Sequence, residues 1–279
     1  MKILIFGADG QLGGDLVKSF IPSHEVVVST KINVDITKER DVLNIVKGHV
    51  PALVINAAAF TNVEDNERLP EESFQINALG AYYCAKAASS VGSPIIYIST
   101  DYVFDGSQEV FVEDDTPHPL NIYGASKYAG ELLTNIANQQ AYIIRTSALF
   151  GTHASGKGYN FVDKIIELGK AHDEIRVVSD QRTAVTYALD LAGKIRELVE
   201  RKAPYGTYHL TNSGSCTWYE FAVEILRQSG LKTRTVPITA QEYGSVVHRP
   251  TSSILKPSES LPPWQDALKR YLKGIGYEN

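Results

Sequence analysis

The chain has 279 residues, 43% hydrophobic and 21% charged, enough to bury a large core as one elaborated domain or two. Its 27 basic and 32 acidic residues give a net charge of −5 without any basic block, which argues against a nucleic-acid-binding surface. The apolar run in MKILIFGADG is too short for a signal peptide and no later run reaches bilayer length, so a cytoplasmic protein with no membrane partner is predicted. Cys84 and Cys216 lie far apart, neither in a C-x-x-C pair, and read as small buried hydrophobes rather than a disulfide or metal site.

In chain order, KILIF, EVVVS, ALVIN, PIIYIST and AYIIRTS read as strands, each short and apolar. Between them lie QLGGDLVKSF, KERDVLNIVKGH, EESFQINALGAYYCAKAASSVG and IYGASKYAGELLTNIA, all with helical spacing. Strands that are apolar throughout and alternate with helices require a parallel sheet covered on both faces. The prediction is an α/β fold: a doubly wound Rossmann domain over residues 1–150, with ligands beyond the carboxyl ends of its strands.

The second half changes character. GTHASGKGYN is polar and glycine-rich, followed by helix NFVDKIIELGK, strand EIRVVS, helix TYALDLAGKIRELVE, strand GTYHLT and helix TWYEFAVEILRQSG. An irregular, proline-bearing stretch from Thr235 to Pro263 precedes a last helix around WQDALKRYL. Residues 151–279 are therefore predicted to form mainly a smaller α+β substrate-binding lobe, with 174–202 returning to the first domain.

Gly7-Ala8-Asp9-Gly10-Gln11-Leu12-Gly13 joins the first strand to the first helix. Glycines there permit a tight turn and close approach of backbone to a pyrophosphate, while the helix N-terminus offers free N–H groups. Turn-forming alone is the bland alternative, but this position favours dinucleotide binding. The G-x-x-G-x-x-G spacing resembles the extended branch of the short-chain dehydrogenase/reductase superfamily. The second strand ends in Ser29-Thr30-Lys31, with no acidic residue for a ribose 2′-hydroxyl; hydroxyls and a cation suit a 2′-phosphate, so NADPH is predicted, with NADH as the alternative. Lys31 as a solvated loop residue is the competing view. In the resembling superfamily a pair like Asp35-Ile36 brackets adenine, and Asn56-Ala57-Ala58-Ala59 puts small residues where a cofactor passes close to backbone.

Two Tyr-x-x-x-Lys pairs occur, Tyr82/Lys86 and Tyr123/Lys127. With 15 Tyr and 16 Lys, about one such pair is expected by chance, so context must separate them. Tyr123 opens a helix whose preceding strand delivers Ser99-Thr100-Asp101-Tyr102 to the same end of the sheet, and positions four apart share a helix face. That grouping suits carbonyl reduction. Tyr123 would supply the proton, Lys127 would lower the phenol pKa and hold the nicotinamide ribose, and Thr100 would bind the developing oxyanion. Tyr82 and Lys86 lie mid-helix with no such strand end and read as packing plus a snorkelling lysine.

The chain resembles the dTDP-4-dehydrorhamnose reductase family along nearly its whole length. The motifs are GADGQLG, INAAAFTNVEDNE, ISTDYVFDG, NIYGASKYAGE, IIRTSALFG, NFVDKIIELGK, VVSDQ, YHLTNSGSCTWYEFA, HRPTSS and LPPWQDALKRYL. The resemblance implies NAD(P)H-dependent reduction of the C4 ketone of a dTDP-linked sugar, with Thr100, Tyr123 and Lys127 catalytic and Ser99 beside the cofactor. It also implies substrate contacts from Thr100, Asp101, Tyr102, Asn160 and Arg249. A guanidinium fork at Arg249 independently suits a diphosphate. Two departures stand out. Ala148 follows Arg145-Thr146-Ser147 where the family has tryptophan, and Val185-Thr186 replaces proline-threonine, so the sugar identity is open. Reduction of another dTDP-4-keto-6-deoxysugar is therefore one alternative. A non-catalytic subunit, like the methionine adenosyltransferase β subunit, is another. No metal site is predicted, and oligomeric state is left open, with a homodimer in view.

Overall fold

The computed structural model describes residues 1–153 and 158–277, so 154–157 of the glycine-rich loop lie outside the described residues. Six strands form one all-parallel sheet, in the order Gly206–His209, Ala141–Thr146, Ile95–Thr100, Leu53–Asn56, Lys2–Phe6, Glu25–Ser29. Because side chains alternate along a strand, each strand feeds two cores. Ile3, Ile5, Leu53, Ile55, Ile96 and Ile144 meet one layer of helices, and Leu4, Phe6, Val54, Ile95, Tyr97 and Ile143 meet the other. The predicted doubly wound architecture follows directly from this two-sided burial. Strand order reverses between Lys2–Phe6 and Leu53–Asn56, which opens a crevice at their carboxyl ends.

A separate core gathers Phe150, Val162, Ile165, Ile175, Val177, Phe221, Trp264 and Tyr271 in the second half. The chain passes between the two cores more than once. Helix Ala188–Glu200 packs on helix Gln11–Phe20, and strand Gly206–His209 becomes the sheet's outer strand. Strand Glu174–Val178 does not return as predicted; it pairs in parallel with Arg234–Ile238 in the smaller lobe. Its alternating burial explains this, since only Ile175 and Val177 are covered, whereas a main-sheet strand is buried on both faces. Arg234–Ile238 is likewise a regular strand inside the stretch predicted to be irregular. Pro237 is tolerated because the strand pairs on one side only. The long third helix is broken into Pro70–Phe74, a π-helical stretch Gln75–Gly80, and Ala81–Ser90.

Candidate active site

The glycine loop forms a close-packed cradle at the crevice. Gly7 has φ 72°, and a Cβ there would come within 2.6 Å of the Ala58 backbone nitrogen. A Cβ on Gly13 would fall 1.9 Å from the Gly7 carbonyl oxygen. Gly10 stands at the N-cap of helix Gln11–Phe20 and supplies no capping side chain, which leaves the first-turn N–H groups of Gln11, Leu12 and Gly13 for an external acceptor. Nearby, Asn56 Oδ1 accepts from Ala58 N at 3.1 Å, while Asn56 Nδ2 and Gln11 Oε1 are buried without a protein partner. A side-chain-free loop, an uncapped helix and unpaired polar atoms together fit a dinucleotide. Lys31 and Asp35 line an open depression of about 390 Å³ with Thr37, Gln75 and Ile76. Asp35 Oδ1 accepts from the Thr37 backbone N–H at 2.9 Å and its hydroxyl at 2.8 Å, and the backbone bond leads in holding its carboxyl below the usual range. Ile36 lies buried against Gly80, whose missing Cβ leaves room for it.

Thr100 ends its strand and Tyr123 opens helix Ile122–Ala137, capped by Asn121 through a 2.8 Å bond to Gly124 N. The Thr100 side chain lies beside the Tyr123 phenol, and the Tyr102 and Tyr123 rings meet edge-on at 6.1 Å. Burial pushes Tyr123 up to about 12, with Thr100 partly opposing it. The predicted downward pull by Lys127 is not realised in this arrangement. Lys127 is buried one turn on, donates from Nζ to the Ile98 carbonyl at 2.6 Å and lies 4.1 Å from the Tyr97 ring centroid. Burial lowers its ammonium to about 7, and the Glu131 carboxylate opposes that shift. Chemically, a phenol beside a hydroxyl, with an ammonium one turn away, can pass a proton to an oxygen that gains negative charge. The decoy pair is different: Lys86 bonds Glu39 at the surface at 2.8 Å, 5.7 Å from the Tyr82 ring.

The remaining expected residues divide. Tyr102 contacts Arg249, whose guanidinium also holds Glu64 and Ser245. Asp101 is only 3% exposed, and its partners are the hydroxyls of Thr100, Thr183 and Ser253. Asn160 caps helix Phe161–Ala171 through Asp163 N at 3.0 Å, and its Nδ2 donates to Gly151 O and Tyr271 Oη. None of those partners belongs to the Thr100–Tyr123 group. Ser99 donates to Glu131 Oε1 at 2.5 Å, so its hydroxyl is committed to the protein.

Glu131 was not anticipated. It takes a bidentate pair from Arg145, at 2.9 and 2.8 Å, in full burial. An arginine inside the apolar strand AYIIRT was the available signal, because a buried guanidinium needs a buried anion. A second unanticipated cluster is uncharged. Asn77 receives Phe60 N at 2.8 Å and donates to Ser126 Oγ at 3.0 Å, and Ser126 donates to Tyr123 O at 2.9 Å. It ties the loop after Asn56 to helix Ile122–Ala137 through the π-helical turn. Ala148, where tryptophan was expected, has φ 42° and packs beside the second core.

Residues 1–276 match the family described as RmlD substrate binding domain. The chain is 39% identical to the spore coat polysaccharide biosynthesis protein SpsK of Bacillus subtilis (strain 168), across 98% of this chain and 97% of that protein. It is 36% identical to dTDP-4-dehydrorhamnose reductase of Escherichia coli (strain K12), across 99% and 98%. Among solved structures, dTDP-4-dehydrorhamnose reductase from Bacillus anthracis str. Ames in complex with NADP superposes with a TM-score of 0.94 at 38% identity, covering 98% of this chain and 99% of that one.

Proposed function

This chain belongs to the dTDP-4-dehydrorhamnose reductase family, and on that premise we propose that it reduces the C4 ketone of dTDP-4-dehydrorhamnose with NADPH or NADH. The observation that carries this is the placement of Thr100 at its strand end beside the Tyr123 phenol, with Lys127 one helical turn on, at the strand ends beside the glycine cradle. When bound, the reduced nicotinamide supplies the hydride. Gly7, Gly10 and Gly13 leave backbone where a pyrophosphate would lie, and the first-turn N–H groups of helix Gln11–Phe20 would hold its phosphates. Lys31 and the Thr30 hydroxyl suit the 2′-phosphate of NADPH, and Asp35 and Ile36 would face adenine, as the family resemblance implies.

Tyr123 donates its phenolic proton to the ketone oxygen as charge develops there, and Thr100 supports that oxygen by hydrogen bonding. Lys127, in its charged form, offers the cation that favours phenolate once the proton has left. Arg249 and Tyr102 would meet the diphosphate of the nucleotide sugar, with Arg249 exchanging Glu64 for phosphate oxygens.

Mixing the protein with NADPH and dTDP-4-dehydrorhamnose should consume reduced-nicotinamide absorbance. Tyr123→Phe should lower kcat about 100-fold or more while cofactor affinity stays within twofold or so. Tyr82→Phe should be nearly silent. Full activity in Tyr123→Phe would assign the proton to another group. Ala148 supports a second reading, a different dTDP-4-keto-6-deoxysugar, because a methyl group replaces the large ring at that point. Turnover across several such sugars decides between them. Tight cofactor binding without turnover on any would favour a non-catalytic subunit.

A further inference from the structure

Two buried carboxyls flank the catalytic strand end, and their surroundings are opposite. Glu131 is clamped by the Arg145 fork. Among the described residues no cation pairs with Asp101. Thr100 Oγ1 bonds Asp101 Oδ1 at 3.0 Å, Thr183 Oγ1 reaches Oδ2 at 3.4 Å, and Ser253 supplies a third hydroxyl. Hydroxyls can donate or accept, so these partners serve either protonation state of the acid.

The Thr100 hydroxyl owns one proton. The Tyr102 backbone N–H already donates to its oxygen at 3.2 Å. If Asp101 is ionised, the Thr100 proton points at Asp101, and Thr100 can only accept on its other side. A proton on Asp101 reverses that bond and frees the Thr100 hydrogen to point outward. We infer that Asp101, as a neutral acid, is a positioning residue that aims the Thr100 hydroxyl at the reacting oxygen. This rests on the reading that Thr100 and Tyr123 act on a carbonyl.

The surroundings shift the acid toward its neutral form. Burial pushes the Asp101 carboxyl up to about 6 against the opposing pull of its hydroxyl partners, so without ligand the neutral acid dominates only below that pH, and exclusion of water by a ligand extends its range upward. The titratable groups beside it are the phenols of Tyr102 and Tyr123, both held upward and so uncharged at neutral pH. Arg249, on the far side of Tyr102, is taken by Glu64, and Arg182, next to Thr183, pairs with Glu220 at 3.9 Å.

Two measurements on the full chain test this. Infrared pH-difference spectra of the protein without ligands should show a carboxylic-acid band titrating at about pH 6 in wild type and missing from Asp101→Asn. A wild-type spectrum with no such band above pH 5 or so would overturn the inference. In the kinetic arm, wild-type kcat should fall about tenfold per pH unit above its limb. Asp101→Asn, whose amide can donate to Thr100, should lose the limb at about pH 6, keep only the higher one set by Lys127, and turn over a few-fold below the wild-type plateau. Identical limbs in both proteins would overturn it. If wild type shows no turnover, the functional reading fails while the infrared result still decides the state of Asp101. Should Asp101→Asn not fold, Thr183→Val removes one donor from the carboxylate and should move both band and limb upward; no movement overturns the inference.

Discussion

Lys127→Met should make the protein more stable and less active. Lys127 is 2% exposed, and burial lowers its ammonium from the ordinary 10.5 to about 7. At about 1.4 kcal/mol per pH unit that difference is roughly 5 kcal/mol, an upper bound on what the buried charge costs the fold. Methionine abolishes the cost and fills similar volume, but leaves the Ile98 carbonyl without its 2.6 Å donor, a loss of about 1–3 kcal/mol. The net gain is therefore at most about 2–4 kcal/mol, or up to several degrees in Tm. The sign with pH follows from proton counts. Between about 7 and 10.5 the unfolded chain binds the Lys127 proton more fully than the folded one, so wild-type stability rises with pH through that window. The advantage of Lys127→Met is therefore largest at and below neutral pH and fades as pH approaches the ordinary lysine value. Thermal melts at several pH values, beside NADPH-binding titrations, test this. A variant less stable at neutral pH, or an advantage independent of pH, would refute the reasoning.

Glu131→Gln should destabilise by about 3–5 kcal/mol, because it leaves Arg145 buried and unpaired; chemical denaturation measures this. Gly7→Ala should abolish cofactor binding in a fluorescence titration, since its Cβ would meet Ala58 backbone and its φ of 72° disfavours a side chain. Asn160→Ala should cost about 1 kcal/mol of stability through the lost cap and leave KM for the nucleotide sugar within twofold or so, unlike a substrate contact. Arg249→Met should raise that KM at least tenfold or so with a smaller change in kcat, as expected when a charged partner of the ligand is removed.

The main sheet was legible because its strands are apolar throughout, and only burial on both faces accommodates such runs. Strand Glu174–Val178 misled because ordinary strand propensity says nothing about which sheet a strand joins. Its half-exposed alternation held that information, and EIRVV shows it once charges are counted by face. At the site, Tyr123 and Lys127 were legible from spacing plus the preceding strand end. The protein partners of Ser99, Asp101 and Asn160 were not. Each is distant in the chain: Glu131, Thr183 and Tyr271. A short polar side chain looks the same in sequence whether it faces a ligand or caps a helix. The pull of Lys127 on Tyr123 was inferred from proximity on one helix face, but burial dominates both groups in this arrangement.

The return of helix Ala188–Glu200 and strand Gly206–His209 has a consequence for modularity. Leu191, Ala192, Ile195, Leu198 and Leu210 sit in the same core cluster as Ile3, Ile5 and Ile144. A fragment cut near residue 150 would bare one side of that cluster and leave Ala141–Thr146 as an unguarded sheet edge. The nucleotide half is thus no graftable cassette. Exchanging sugar specificity between relatives calls for loop transplants at the strand ends, with the crossing segments left in place.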